Sequence, residues 1–220
     1  MNAILQLPST QTPYETLADL VTALGDVPLS RIHIKPAIGT ATEADVIALA
    51  EQTNKILCEL IDGVLVEKGM GSPESFLAGW LITHINNWII AGGGGRALSP
   101  DGMIRLSADQ VRMPDVSYFR REQFASGRIP REAIWSLIPD LAVEILSPSN
   151  RPGEMQRKRE DYFTAGVRLV WEIDPVALTV TVYTSLTESI ILSQTDTLTG
   201  GDILPRFTLS LTTLFAEIIE

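Results

Sequence analysis

Leu17, Leu20, Val21 and Leu24 recur at helical spacing between Tyr14 and Leu24, and Gly25 ends the pattern. A loop with Pro28 and Pro36 follows. Thr42-Glu43-Ala44-Asp45 opens a second helix, with acids near its positive end, that runs to about Gln52. From Lys55 to Lys68 the pattern changes to that of strands. KILCELI and VLVEK flank Asp62-Gly63, a pair suited to a tight turn with positive φ, and predict a β-hairpin. Ser72-Pro73-Glu74 marks a helix start, with Ser72 as N-cap and Pro73 as the first helical residue. Phe76, Leu77, Trp80, Leu81, His84, Ile85 and Trp88 then form one broad apolar face up to Ile90, and Gly92 to Gly95 end it.

Strands dominate afterwards. Arg96–Leu98, Met103–Leu106 and Pro114–Phe119 are short extended runs, and a polar connection over 120–138 carries a short helix near Arg131–Leu137. Leu141–Leu146 is a continuous apolar strand broken by one acid. Pro152–Ala165 reads as a helix stopped by Gly166. Val167–Ile173 pairs with Leu178–Tyr183 through an Asp174-Pro175 turn. The tail from Ser189 adds one or two strands and a helix near Leu211–Glu217. No linker separates the first helices from the rest, so residues 1–55 read as an N-terminal helical extension packed on a core of residues 56–220. The element order predicts an α/β fold with a central mixed β-sheet flanked by helices.

Composition narrows the function. Of 220 residues, 17 are Lys or Arg and 27 are Asp or Glu, a formal charge of −10, which argues against a basic nucleic-acid coat or a polybasic membrane binder. The single Cys58 and the two histidines, His33 and His84, rule out an internal disulfide framework and argue against a Cys/His zinc cage. Each of the three reads as a packing or surface residue. No apolar run spans a membrane, and the start lacks the basic n-region and long apolar stretch of a secretion signal. A cytoplasmic protein without a membrane partner is the expectation. Gly92–Gly95 is followed by Arg96-Ala97 rather than the Lys-Ser/Thr of a phosphate loop, and neither Gly-x-Ser-x-Gly nor His-Glu-x-x-His occurs.

Glu144 is the informative residue. Apolar neighbours on both sides place it on a strand covered on both faces, where a carboxylate must be paired, hydrogen-bonded, protonated or metal-bound. Asp115, at the start of another short strand, can converge with it on one hard divalent cation, which takes one or two carboxylates and keeps several waters. On the next helix Lys158 and Tyr162 stand four apart and share a face, so a lysine can be aimed at the carboxylate pair. Each feature also has a plain structural explanation: a core glutamate held by an arginine, a turn aspartate after proline, an exposed Glu154–Lys158 pair.

Taken together, ELIDGVLVEKG at 59–69, PDVSYF at 114–119, PDLAVEILSPSN at 139–150 and KREDYFTAGVRLVWEIDP at 158–175 resemble the Uma2 (DUF820) family, a branch of the PD-(D/E)xK nuclease superfamily. The resemblance implies a restriction-endonuclease-like core, an endonuclease that hydrolyses DNA phosphodiester bonds with Mg²⁺ or Mn²⁺, and a homodimer. It assigns Asp115 and Glu144 to the metal, with Glu74 as an additional acidic position. Catalysis falls to Asp115, Glu144, Lys158 and Tyr162, with the tyrosine supporting the lysine or lining the site. The superfamily lysine is expected two residues after the acid, where this chain has Leu146; Lys158 on the following helix fits as its migrated equivalent. A nuclease fold without activity, serving as a nucleic-acid-binding or protein-interaction module, is the alternative.

Overall fold

A computed structural model describes residues 14–69, 71–124, 127–216 and 218, so the first 13 residues of the expected extension lie outside it. The chain opens with two reciprocally capped helices. In α1 (Leu17–Ala23) the Thr16 hydroxyl accepts from the Asp19 N–H while the Asp19 carboxylate accepts from the Thr16 N–H. α2 (Glu43–Ala50) repeats the device with Thr42 and Asp45. Each cap satisfies two otherwise orphaned donors and sets an acid at the positive helix end. The hairpin turns where expected: Asp62 and Gly63 have φ of 50° and 75°, and β1 (Cys58–Ile61) pairs antiparallel with β2 (Val64–Glu67). α3 (Ser72–Trp88) takes Gly71 as its cap, so Ser72 is already helical.

β3 (Arg96–Leu98), β4 (Met103–Ser107), β5 (Gln110–Arg112) and β6 (Val116–Phe119) follow. β5 is absent from the sequence expectation because Gln110 and Arg112 read as surface residues. The helix expected near Arg131–Leu137 does not form. Instead β7 (Ile134–Trp135) runs parallel to β4, and Trp135 packs edge-on against Phe119 and Phe124. Packing of two large apolar side chains overrides a weak local helical pattern. β8 (Leu141–Ile145) leads into α4 (Pro152–Ala165), which Gly166 ends in the left-handed conformation at φ 105°. β9 (Leu169–Asp174), β10 (Thr179–Tyr183), β11 (Ser189–Ser193), β12 (Thr197–Gly200), β13 (Leu204–Ser210) and α5 (Leu211–Phe215) complete the chain. The tail thus holds three strands rather than one or two. Glu217, at the expected end of the last helix, lies outside the described residues.

The expected central sheet resolves into two larger sheets and a separate β12–β13 hairpin. The first has the order β2-β1-β5-β4-β7 and the second β11-β10-β9-β8-β6-β3. Each is mixed: β4–β7 is the parallel pair of the first, β8–β9 of the second. One face of the second sheet carries Val143, Ile145, Trp171 and Ile173 against Leu77, Leu81 and Ile85 of α3 and against Leu214 and Phe215 of α5. Each such buried side chain contributes roughly 1.5–3 kcal/mol. By alternation Ala142, Glu144, Val170 and Glu172 turn to the other face, which α4 covers with Tyr162. α1 and α2 pack on the first sheet.

Candidate active site

Residues Met113 to Asp115 link the two sheets, leaving the first at β5 and entering the second at β6. Asp115 is fixed there by its backbone and its side chain. Its N–H donates to the Val143 carbonyl at 2.8 Å, and its Oδ2 accepts from the Ile145 N–H at 2.7 Å. The carboxylate is thereby locked beside β8, within electrostatic reach of Glu144. Its Oδ1 meets Lys68 Nζ at 2.8 Å, and the same ammonium donates to the Met113 carbonyl.

Glu144 projects from β8 toward α4. Lys158 Nζ donates to Glu144 Oε2 at 2.8 Å, and the Tyr162 hydroxyl donates to Oε1. Lys158 and Tyr162 reach one carboxylate because they stand one helical turn apart on the buried face of α4. Asp115, Glu144 and Lys158 are each 4% exposed and Tyr162 is fully buried. The four residues picked out as catalytic from the sequence therefore sit at one place. Glu74 is not joined to them: it lies buried in the first turn of α3, and among the described residues no hydrogen bond or ion pair connects it to Asp115 or Glu144.

Three further charged residues belong to the cluster. Glu59, from β1, lies 3.7 Å from Lys158 Nζ through Oε1, which also accepts from the Met113 N–H at 2.9 Å. Its Oε2 accepts from Arg112 at 2.8 Å. Arg112, buried on β5, also donates to Asp161 of α4. Lys68 follows β2. The sequence did carry a signal for Glu59: an acid between buried Cys58 and Leu60 poses the same question as Glu144. Nothing local marks Lys68, whose partner is 47 residues away.

The electrostatics follow from burial and from these pairings. Burial alone would raise the Glu59 carboxyl, but Lys158, Arg112 and Lys68, with the Met113 N–H, overcome it and hold it down at about 2. Burial pushes the Glu144 carboxyl up; Lys158 and Lys68 oppose the rise, while Asp115 and Glu59 reinforce it. Burial would lower the Lys158 ammonium, but Glu144, Glu59 and Glu154 outweigh it and push its value up, so it stays charged at neutral pH. Tyr162 is raised well above the usual phenol value by burial, Glu144 and Glu59 and remains a proton donor.

A pH prediction follows from Glu59. A carboxyl depressed in the folded state stabilises above its unfolded value and loses that stabilisation as pH falls toward its folded value. The advantage of the wild type over Glu59→Gln in thermal unfolding should therefore be full above about pH 5. It should shrink as the pH falls from about 4.5 toward 2. A gap that stays constant over that window would contradict the assigned ionisation.

The donors suit a hard cation. Asp115 and Glu144 offer oxygen only, and each carboxylate oxygen retains a lone-pair direction beyond its single protein partner, while Lys68 and Lys158 already neutralise the pair. Among the described residues no group of three or more His, Cys, Asp or Glu side chains is gathered as a cage. A pair of carboxylates completed by water is the arrangement Mg²⁺ tolerates and Zn²⁺ does not favour. Among the described residues no helix is long and apolar enough to cross a membrane.

Comparisons with known proteins agree with this architecture. The family model Uma2, described as "Putative restriction endonuclease", matches residues 44–212. A crystal structure from Anabaena variabilis ATCC 29413, described as "a putative nuclease belonging to DUF820", is 24% identical in sequence. The similarity covers 81% of this chain and 99% of that one, with a TM-score of 0.67, and shows a shared fold. Among curated proteins none matches.

Proposed function

The chain belongs to the Uma2 family of restriction-endonuclease-like proteins, and on that premise we propose that it is a Mg²⁺- or Mn²⁺-dependent endonuclease acting on DNA. The observation that carries this reading is the placement of Lys158 Nζ 2.8 Å from Glu144, on the strand beside Asp115. A lysine delivered by α4 stands in for the one that Leu146 lacks. Asp115 and Glu144 would hold the metal, which would supply Lewis acidity at the scissile phosphoryl group. The Ile145 N–H fixes Asp115, and Tyr162 fixes the second oxygen of Glu144. Lys158, held as an ammonium, cannot take a proton from water; it orients Glu144 and offers positive charge to the developing phosphorane.

The charge distribution bears on the substrate. Arg112, Arg120, Arg157 and Arg159 are each paired with a carboxylate, so much of the basic character in the middle of the chain is already neutralised. Duplex affinity should then be modest, with few phosphate contacts and a shallow salt dependence.

Isothermal titration with Mg²⁺ and Mn²⁺ tests the reading. The wild type should take up the ion, and Asp115→Asn should weaken uptake at least tenfold, about 1.4 kcal/mol. Absence of specific uptake by the wild type would overturn the metal-dependent assignment. It would favour the non-catalytic module, a reading that draws on the near-complete burial of Asp115, Glu144 and Lys158 and their mutual pairing.

A further inference from the structure

Among the described residues the second sheet ends on β11, Ser189-Ile190-Ile191-Leu192-Ser193, which pairs there with β10 alone. Ile190 and Ile191 are 60% and 71% exposed. The opposite edge, β3, is only three residues long and carries the exposed Arg96, a charge of the kind that discourages edge pairing. β11 has no charge, proline or bulge along its length. An uncharged apolar edge is a template for another strand.

The backbone defines which groups are free. At the mouth of the β10–β11 hairpin the Thr184 N–H donates to the Glu188 carbonyl at 3.1 Å. Antiparallel alternation then turns Ile190 and Leu192 toward β10 and leaves Ser189 and Ile191 with outward N–H and C=O groups. The Ser193 N–H donates to Asp196 Oδ2 at 2.7 Å and its carbonyl accepts from the Asp196 N–H at 2.9 Å, so the outward main-chain groups left on β11 are those of Ser189 and Ile191.

The pattern of polar and apolar residues is also symmetric about Ile191. Laid antiparallel on a second copy with a two-fold axis at Ile191, the strand sets Ser189 opposite Ser193, Ile190 opposite Leu192 and Ile191 opposite itself. Glu188 falls opposite Gln194, so no like charges meet in the strand pair. Such a pairing forms about two main-chain hydrogen bonds, a reciprocal pair between the Ile191 residues on the axis. It also covers Ile190 and Ile191 of both chains.

We infer that two copies of this chain associate through β11, joining their six-stranded sheets edge to edge across a two-fold axis. The resemblance implies a homodimer without saying which surface makes it; the β11 edge supplies one, whether or not the carboxylate site is catalytic.

Sedimentation equilibrium at up to about 100 μM chain tests the inference, since association is concentration-dependent. The wild type should approach the mass of two 24.1 kDa chains. Ile191→Lys sets like charges opposite one another on the axis and should weaken association about a hundredfold or more. Ile191→Pro removes an N–H that β10 does not use and should do the same while keeping the circular dichroism and melting temperature of the wild type. A wild type that stays a single chain throughout would overturn the inference. So would a dimer that persists undiminished in folded Ile191→Lys and Ile191→Pro proteins, because it would be built on another surface.

Discussion

Glu144→Gln is expected to lower metal-dependent DNA cleavage about a thousandfold, equivalent to about 4 kcal/mol of transition-state stabilisation. The substitution keeps the shape of the side chain, and its carbonyl oxygen can still accept from Tyr162 or Lys158, so folding should survive. What it removes is the negative charge that would hold the cation beside Asp115. Single-turnover cleavage at saturating Mn²⁺ measures the loss, and thermal unfolding of the same sample checks the fold. Lys158→Met serves as a comparison: it should reduce cleavage while leaving both proposed metal-binding carboxylates in place. If Glu144→Gln and Asp115→Asn both cleave at the wild-type rate, neither residue belongs to the mechanism.

Arg112→Ala should destabilise the protein by about 3–5 kcal/mol, the range for removing one partner from a buried ion pair. Arg112 is 1% exposed and spans the gap between Glu59 on β1 and Asp161 on α4. Its loss leaves a cavity and uncovers buried carboxylate charge on two elements. Asp161 retains Arg157 at 2.9 Å, so Glu59 should bear the larger part of the penalty. For a chain of this length a drop of 10 °C or more in melting temperature is expected. Denaturant unfolding gives the free energy directly, and a loss below about 1 kcal/mol would show that Arg112 does not hold the first sheet and α4 together. The same substitution tests how the site is assembled, because α4 carries Lys158 as well as Asp161.

Much of this architecture is legible residue by residue. Asp62-Gly63 specifies the hairpin because the turn needs two positive φ angles in succession. Gly166 ends α4 where a left-handed residue is required, and Thr42 with Asp45 starts α2 by satisfying its own donors. β7 was not legible. Ile134 and Trp135 are held as a strand by β4 and by an aromatic cluster assembled from distant residues, and no local pattern encodes those partners. β5 was hidden for a related reason: Arg112 reads as a surface residue until Glu59 and Asp161 are seen to neutralise it.

The sequence by itself determined that an acid had to be accommodated inside an apolar strand at Glu144, and that Lys158 and Tyr162 share one helical face. Both follow from fixed periods of the backbone, 2 along a strand and 3.6 along a helix. Only the tertiary structure decided that Asp115 and Glu144 are neighbours, that Lys158 bridges toward Glu59, and that Lys68 neutralises Asp115. Those pairings join residues on different sheets and helices. Their geometry depends on how the two sheets meet beneath α4, a relation set by the sum of core packing rather than by any local run of residues.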